Sequence, residues 1–394
     1  MQKLLNFMAI ILFFLFISSE SGALEVSEKL SLEGTFAGVY QWLNRSTGEF
    51  KSKNRGSGMI DLGVSFKPTE RDEFYILGSF GSGNGLKDVS PFLLSPNADD
   101  LEDDVKNING HRKQDNLLEA WYAHTFKFNN STSLKITAGI IDATVYIDDN
   151  RLANCEINQF MNDVFVNTPL STPPSYDLGV VAELEKGPFN LKVLGMSTKN
   201  PDIEIGEKRG VFYKYYALQL GYKLETKFGE GNYRIYGFLT SKVFPKRESE
   251  FKKEKLKGVG ISLDQDLGFI NNPFSQEPLG FFLRTGWQDD EVLGADYKHL
   301  ISVGLRIPFE FLGKKGNELG IGYAYLKGAD KGEVSYTHAS EIYIKFKLFE
   351  YEKKLSSDLT LDFQYLKDRI RGTEERAAFS NEGLIFGLRW IFSF

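Results

Sequence analysis

Read back from its carboxyl end, the chain alternates. Over residues 383–394, Leu384, Phe386, Leu388, Trp390, Phe392 and Phe394 fall on one face, and Ile385, Gly387, Arg389, Ile391 and Ser393 fall on the other. A period of two with one wholly apolar face marks a β-strand, because successive side chains of a strand point to opposite sides. The pattern returns at 30–42, where Leu30, Leu32, Phe36, Tyr40 and Trp42 oppose Ser31, Glu33, Thr35 and Gln41. It returns at 57–66 and again from Phe74 to Phe80. Further strands are predicted at 117–126, 133–141, 177–186, 189–198, 213–224, 231–241, 257–265, 278–288, 298–307, 317–326, 338–348 and 358–367. With the terminal strand the count is sixteen, and helical stripes that would build a mixed core are missing.

The connections alternate too. Those at 68–72, 185–188 and 308–316 are short, whereas 86–116 and 241–257 are long. Strands of about ten residues, even in number and joined alternately by short turns and long loops, predict an all-β transmembrane antiparallel barrel. Inside a bilayer every backbone group must be satisfied by the protein, and a closed barrel does this with strands. The apolar face, often ending in Tyr, Phe or Trp, would meet outer-membrane lipid. The polar face, with Glu119, Arg284, Gln288, Arg306, Glu341, Lys345, Lys347, Asp362, Gln364 and Arg389, would line a lumen wide enough for water. A soluble β-sandwich or solenoid would also bury alternating strands, but neither accounts for the aromatic carboxyl end.

Composition narrows this further. The 394 residues are 42% apolar with a mean hydropathy of −0.28. That excludes a helical membrane protein apart from one apolar run at 4–17, too short to span. Lys3 precedes the run, and Ser21-Gly22-Ala23 offers a small-residue cleavage site. Residues 1–23 therefore read as a secretory signal peptide, with a membrane anchor as the alternative, and 24–394 as a single barrel domain. The 33 Phe, 18 Tyr and 38 Gly against 12 Pro suit a long series of strands. A net charge of −6 implies no nucleic-acid partner. Cys155 is the one cysteine, so no intrachain disulfide supports the fold.

The segment 142–172 breaks the alternation. It is rich in Asn and Asp, with Ile147, Phe160, Met161, Val164 and Phe165 interleaved. Such a segment can fold inward, pack on the barrel wall and narrow the pore, presenting Asp148, Asp149, Asn150 and Arg151 to solute. Equally it can form an outer-surface loop with its own small cluster.

Around this segment the residues resemble a family. The stretches Leu117-Leu118-Glu119-Ala120-Trp121-Tyr122, Thr137-Ala138-Gly139-Ile140-Ile141-Asp142 and Tyr146-Ile147-Asp148-Asp149-Asn150 look like carbohydrate-selective porins of the OprB type. So do Gln159-Phe160-Met161-Asn162 and Pro173-Pro174-Ser175-Tyr176-Asp177-Leu178-Gly179, and the terminal Phe394 agrees. The specific part covers residues 117–180. The resemblance implies a sixteen-stranded outer-membrane barrel that passes sugars, with 142–172 as the constriction loop.

Passive diffusion of small hydrophilic solutes, monosaccharides or short oligosaccharides favoured, is the leading expectation. Carboxylates and amides match sugar hydroxyls, arginine supplies a fixed fork of donors, and an aromatic ring stacks on an apolar sugar face. The candidate constriction residues are Glu119, Trp121, Asp148, Asp149, Asn150, Arg151, Arg284 and Arg306. For each the alternative is a solvated lumen residue or an ion pair that holds the loop. A general or ion-selective porin is the second reading, with Asp99-Asp100-Leu101-Glu102-Asp103-Asp104 drawing cations to the mouth, or simply a solvated outer loop. An enzyme is not expected. The four histidines form no His-Glu-x-x-His pair, no Gly-x-Ser-x-Gly elbow occurs, and no metal-ligand spacing or cofactor motif stands out. The terminal strand ending in Phe394 would engage the barrel-assembly machinery, and the protein would be a monomer or a homotrimer.

Overall fold

The computed structural model describes residues 24–45, 52–170, 173–205, 208–352, 354–374 and 376–394. The predicted signal peptide, 1–23, lies outside the described residues. Sixteen strands form the wall. They are β1 (Leu30–Arg45), β2 (Lys53–Phe66), β3 (Asp72–Ser82), β4 (Leu117–Asn129), β5 (Thr132–Ile141), β6 (Asp177–Lys186), β7 (Phe189–Ile205) and β8 (Lys208–Thr226). Then follow β9 (Gly229–Thr240), β10 (Lys257–Asp266), β11 (Gly280–Gln288), β12 (Tyr297–Phe311), β13 (Lys314–Gly328), β14 (Val334–Tyr351), β15 (Leu355–Ile370) and β16 (Phe379–Ser393). Every predicted strand overlaps one of these.

Each strand pairs antiparallel with the next, and β16 pairs with β1 to close the ring. At the seam Phe36 faces Phe392 and Gly38 faces Trp390. The carboxyl end completes the closure. The Phe394 N–H donates to the Gly34 carbonyl and the Gly34 N–H donates to the Phe394 carbonyl, both at 2.9 Å. A Cβ on Gly34 would stand 2.3 Å from the Phe394 ring, so any larger residue there would have to displace that ring. A short strand, Leu24–Ser27, adds to β1 outside the ring.

The alternation read from sequence is the alternation of faces. On β16, Leu384 and Trp390 are exposed while Ile385, Arg389 and Ile391 are buried. The outer face is an apolar belt. Near the short turns it carries an aromatic girdle in which Phe66 stacks on Phe74 at 6.3 Å, Phe74 meets Tyr122 at 4.8 Å and Phe189 meets Tyr222 at 5.0 Å. Cross-strand aromatic pairs of this kind each contribute roughly 0.2–1 kcal/mol, and such a girdle places the wall at a membrane boundary. No helix among the described residues is long and apolar enough to cross a membrane.

The two ends of the barrel differ broadly as predicted, although the long-loop end also has a short connection, 329–333. The short turns share an end with residue 24 and Phe394, and the connections 83–116, 142–176 and 241–256 lie at the other. Conversely, 267–279 is a longer connection at the turn end.

Two long connections fold inside. The segment after β5 packs on the inner wall, with Ile147, Phe160, Met161, Val164 and Phe165 all buried. The segment after β3, expected at the surface, is inside as well, with Leu86, Leu94 and Leu101 buried. The reason is local. Those leucines need cover, and two wall glutamines supply partners for the strandless backbone. Gln41 and Gln364 both donate to the Pro96 carbonyl, at 3.3 and 2.8 Å. The hairpin of Asn107–Ile108 and Arg112–Lys113 then rises to the rim.

Candidate functional site

The infolded segment is fixed to the wall at successive points. A single helical turn, α1 (Asp163–Val166), is capped by the Asn162 side chain, which accepts from the Val164 N–H at 3.1 Å. Just before it, the Glu341 carboxylate of β14 accepts from the N–H groups of Met161 (2.6 Å) and Asn162 (2.8 Å). Phe160 packs among Phe165, Tyr343 and Phe282, with ring centres 4.9, 4.9 and 5.5 Å away. On the same stretch of wall, Arg389 of β16 pairs with Asp362 of β15 at 2.7 Å and donates to the carbonyls of Glu156, Ile157 and Gln159. Arginine suits these places because its rigid fork satisfies several carbonyls at once.

The residues predicted to meet solute at 148–151 are mostly anchors. Asp148 pairs with Arg284 at 2.8 Å, both fully buried. Arg284 also donates to the carbonyls of Phe165 (2.8 Å), Val166 (3.3 Å) and Ala153. Burial pushes the Asp148 carboxyl above the ordinary range, against the pull of Arg284. The Asn150 amide donates to Ser262 Oγ and the Leu263 carbonyl, both at 3.1 Å, and is buried too. Asp148, Asn150 and Arg284 therefore do not face the solute path. The Arg284 cation, satisfied by backbone carbonyls and paired with the Asp148 carboxylate, costs less to bury than the same charge alone against a dry wall.

Asp149 and Arg151 keep a partly open face. Asp149 pairs with Lys192 at 2.6 Å and Arg234 at 2.8 Å. Arg234 continues to Asp264 at 2.8 Å, and Arg151 joins Asp264 (3.1 Å) and Asp266 (2.6 Å). Burial opposes the Arg151 charge, but Asp266 and Asp264 outweigh it and raise its pKa. The result is an unbroken chain of alternating charge across β7, β9 and β10. Arg306 belongs to another such group, with Glu318 at 2.7 Å and Glu277 at 3.2 Å, and Lys345 reaches Glu318 at 3.0 Å.

Glu119 and Trp121 lie together on β4, apart from those charges. The Trp121 indole N–H donates to Glu119 at 3.0 Å. The Trp121 ring stacks on Tyr75 at 5.1 Å with 29° between planes, and Lys135 Nζ stands 5.5 Å from it. The Tyr75 hydroxyl donates to Glu33 at 2.5 Å. The group is thus a flat aromatic pair edged by two carboxylates and an ammonium.

Between the two infolded segments lies a cavity of about 170 Å³, lined by Asp100, Asp142, Glu156, Asp163, Asn154 and Tyr176 among others. Its carboxylates are hydrogen-bonded. Glu156 accepts from the Asp100 N–H at 2.9 Å, and Asp142 from Thr144 at 2.7 Å. Tyr176 donates to Asp100 at 2.8 Å, and burial together with the Asp100 and Asp142 charges pushes its pKa well up. Among the described residues no cluster of His, Cys, Asp and Glu is arranged to hold a metal ion.

Strand parity placed Glu119, Trp121, Arg284 and Arg306 on the inner face. It missed Tyr75, Glu33, Lys192, Arg234 and Asp264, which share that parity on neighbouring strands. Only the cross-strand register shows that they meet.

A closed sixteen-stranded barrel with an outward apolar belt and infolded loops is the porin fold, and the chain is an integral outer-membrane protein. It belongs to the same family as an uncharacterized protein of Aquifex aeolicus (strain VF5), to which it is 32% identical over 327 residues, 82% of this chain and 87% of that protein. No family model matches it. Among solved structures it is similar to Pseudomonas putida OprB at high pH, with a TM-score of 0.67 and 14% identity, covering 96% of this chain and 99% of that one. The low-pH structure of that protein matches at a TM-score of 0.51, 13% identity, and 96% and 100% coverage. OmpT, an outer membrane protein of Vibrio cholerae, also matches at 0.51, with 12% identity over 94% of this chain and 99% of that one. These likenesses bear on the fold.

Proposed function

We propose that the barrel is a porin through which small hydrophilic solutes diffuse, with monosaccharides or short oligosaccharides favoured. The observation that carries this is the Trp121–Tyr75 stack edged by Glu119, Glu33 and Lys135. A stacked aromatic surface takes the apolar face of a pyranose, and the flanking carboxylates accept from its hydroxyls. Binding at one such platform is weak, as passage requires. Single-channel current in a planar bilayer, with glucose or a maltodextrin titrated in, tests the reading. Stepwise conductance that falls saturably with sugar supports it, and conductance indifferent to sugar overturns the sugar preference.

The acid-lined cavity favours a second reading, a cation-preferring general porin. Two further expectations belong to the same proposal. The β16 strand ending in Phe394 is offered to the barrel-assembly machinery, and the assembled protein is a monomer or a homotrimer.

A further inference from the structure

The lipid-facing wall at the long-loop end carries a feature that transport does not use. An outward groove of about 680 Å³ lies across β7 to β11, walled by apolar groups that include Tyr216, Leu239, Val259 and Trp287. Lys255 and Lys257 line the same groove. Both are exposed, as is Lys214, which shares the outward parity of Tyr216 on β8. Lys214 sits beside the start of the 241–256 loop, and Lys257 pairs across strands with Leu239 at the same end. The Ser241 N–H donates to the Lys214 carbonyl at 2.9 Å, and the Lys214 N–H donates to Ser241 Oγ at 3.0 Å, tying the loop that carries Lys255 to β8.

The balance of charge here differs from that elsewhere on this rim. Lys298 pairs with Asp330 at 2.6 Å and Lys367 with Glu382 at 3.1 Å. In the groove patch Lys257 has Asp289 at 3.5 Å, but Lys214 and Lys255 have no ion pair among the described residues. Water alone would suit exposed lysines. It does not suit an apolar groove of this size directly beneath them, in the outer half of the wall. An acyl chain fills such a groove, and a phosphate on the same molecule meets lysines at its mouth.

We propose that this face docks a phosphorylated, multiply acylated glycolipid of the outer leaflet, of lipid A chemistry. One acyl chain lies in the groove, and the phosphates meet Lys214, Lys255 and Lys257. The site rests on the barrel and its orientation and is independent of what the pore carries.

Native mass spectrometry of the detergent-solubilised protein tests this, with bisphosphorylated lipid A, its monophosphorylated form, phosphatidylglycerol and phosphatidylcholine as probes. Three proteins are compared: the parent, Lys214→Gln/Lys255→Gln/Lys257→Gln, and a turn-end control, Lys227→Gln/Lys314→Gln/Lys315→Gln. The parent and the control should retain lipid A alike. The groove variant should lose affinity on the order of 100-fold at low salt, with the monophosphorylated lipid between. Val259→Trp fills the groove and leaves the lysines in place, so it should weaken lipid A in a protein whose charge is unchanged, even if the triple variant does not fold. Equal retention of lipid A by the parent and both groove variants overturns the proposal. Equal binding of phosphatidylglycerol and lipid A by the parent overturns the choice of lipid.

Discussion

Arg284 shows what a single residue does in this lumen. Its guanidinium meets the Asp148 carboxylate and three carbonyls of the infolded segment, all out of water. Removing one partner of such a group leaves the rest buried and unsatisfied, at a cost of about 3–5 kcal/mol. The barrel hydrogen bonds do not depend on that contact, so the cost falls on the loop. Arg284→Met should leave strand content unchanged by circular dichroism and make 142–170 a site of limited proteolysis. Asp148→Asn added to it should recover part of the protection, because the orphaned charge is then gone. Cys155 gives a second test at this scale. Burial, with the neighbouring Glu156 carboxylate, pushes its thiol up to about 11 from 9.0. The thiolate is the reactive form, so at pH 8 labelling by a disulfide reagent should be roughly 100-fold slower than for an ordinary thiol. Labelling at the ordinary rate would show that the segment opens in solution.

At the scale of elements, the rim hairpin around 107–117 shows how a loop is held. Arg112 pairs with Asp115 at 2.8 Å and donates to the carbonyls of Tyr176 and Leu117. The Arg112 hydrogen bond holds the Asp115 carboxyl below its ordinary 3.8. A carboxyl whose folded pKa is depressed adds stability above its unfolded value and loses it as pH falls through the folded one. The hairpin should therefore keep its protection at pH 5 and lose it progressively below about 3.8, while β1–β16 stay protected. Hydrogen exchange at pH 5 and pH 2.5 reads this directly, and equal protection at both would remove Asp115 from the account. The strands were legible because lipid demands an uninterrupted apolar face, as Leu384 to Phe392 show. The hairpin was not, because Arg112–Lys113 has no periodicity and is fixed by a carbonyl more than sixty residues away in sequence. Asp148 failed for a related reason. Its position in the infolded loop could be read, but whether it faced water or Arg284 depended on a register between β5, β10 and β11 that no local pattern encodes.

For the whole molecule, the question is which of two wall features dominates passage. The ion-paired chain from Lys192 to Asp266 is close to neutral in sum and offers a permeant ion little net field. The cavity between the infolded segments is different, since four carboxylates, Asp100, Asp142, Glu156 and Asp163, line it and no basic side chain among the described residues does. A reversal potential across a potassium chloride gradient should therefore have the sign of cation preference. It should shrink at molar salt, where charges a few ångströms apart are screened, and shrink again in Asp142→Asn/Glu156→Gln at low salt. The Trp121–Tyr75 platform acts on a different quantity, because stacking is indifferent to ionic strength. Trp121→Ala should raise the sugar concentration needed for half block by roughly tenfold, the worth of one aromatic contact of about 1.4 kcal/mol, without moving the reversal potential. If it moves the reversal potential and leaves sugar block alone, Trp121 serves to position Glu119. The sugar contact must then be sought among the half-open charges at Asp149, Arg151 and Arg306.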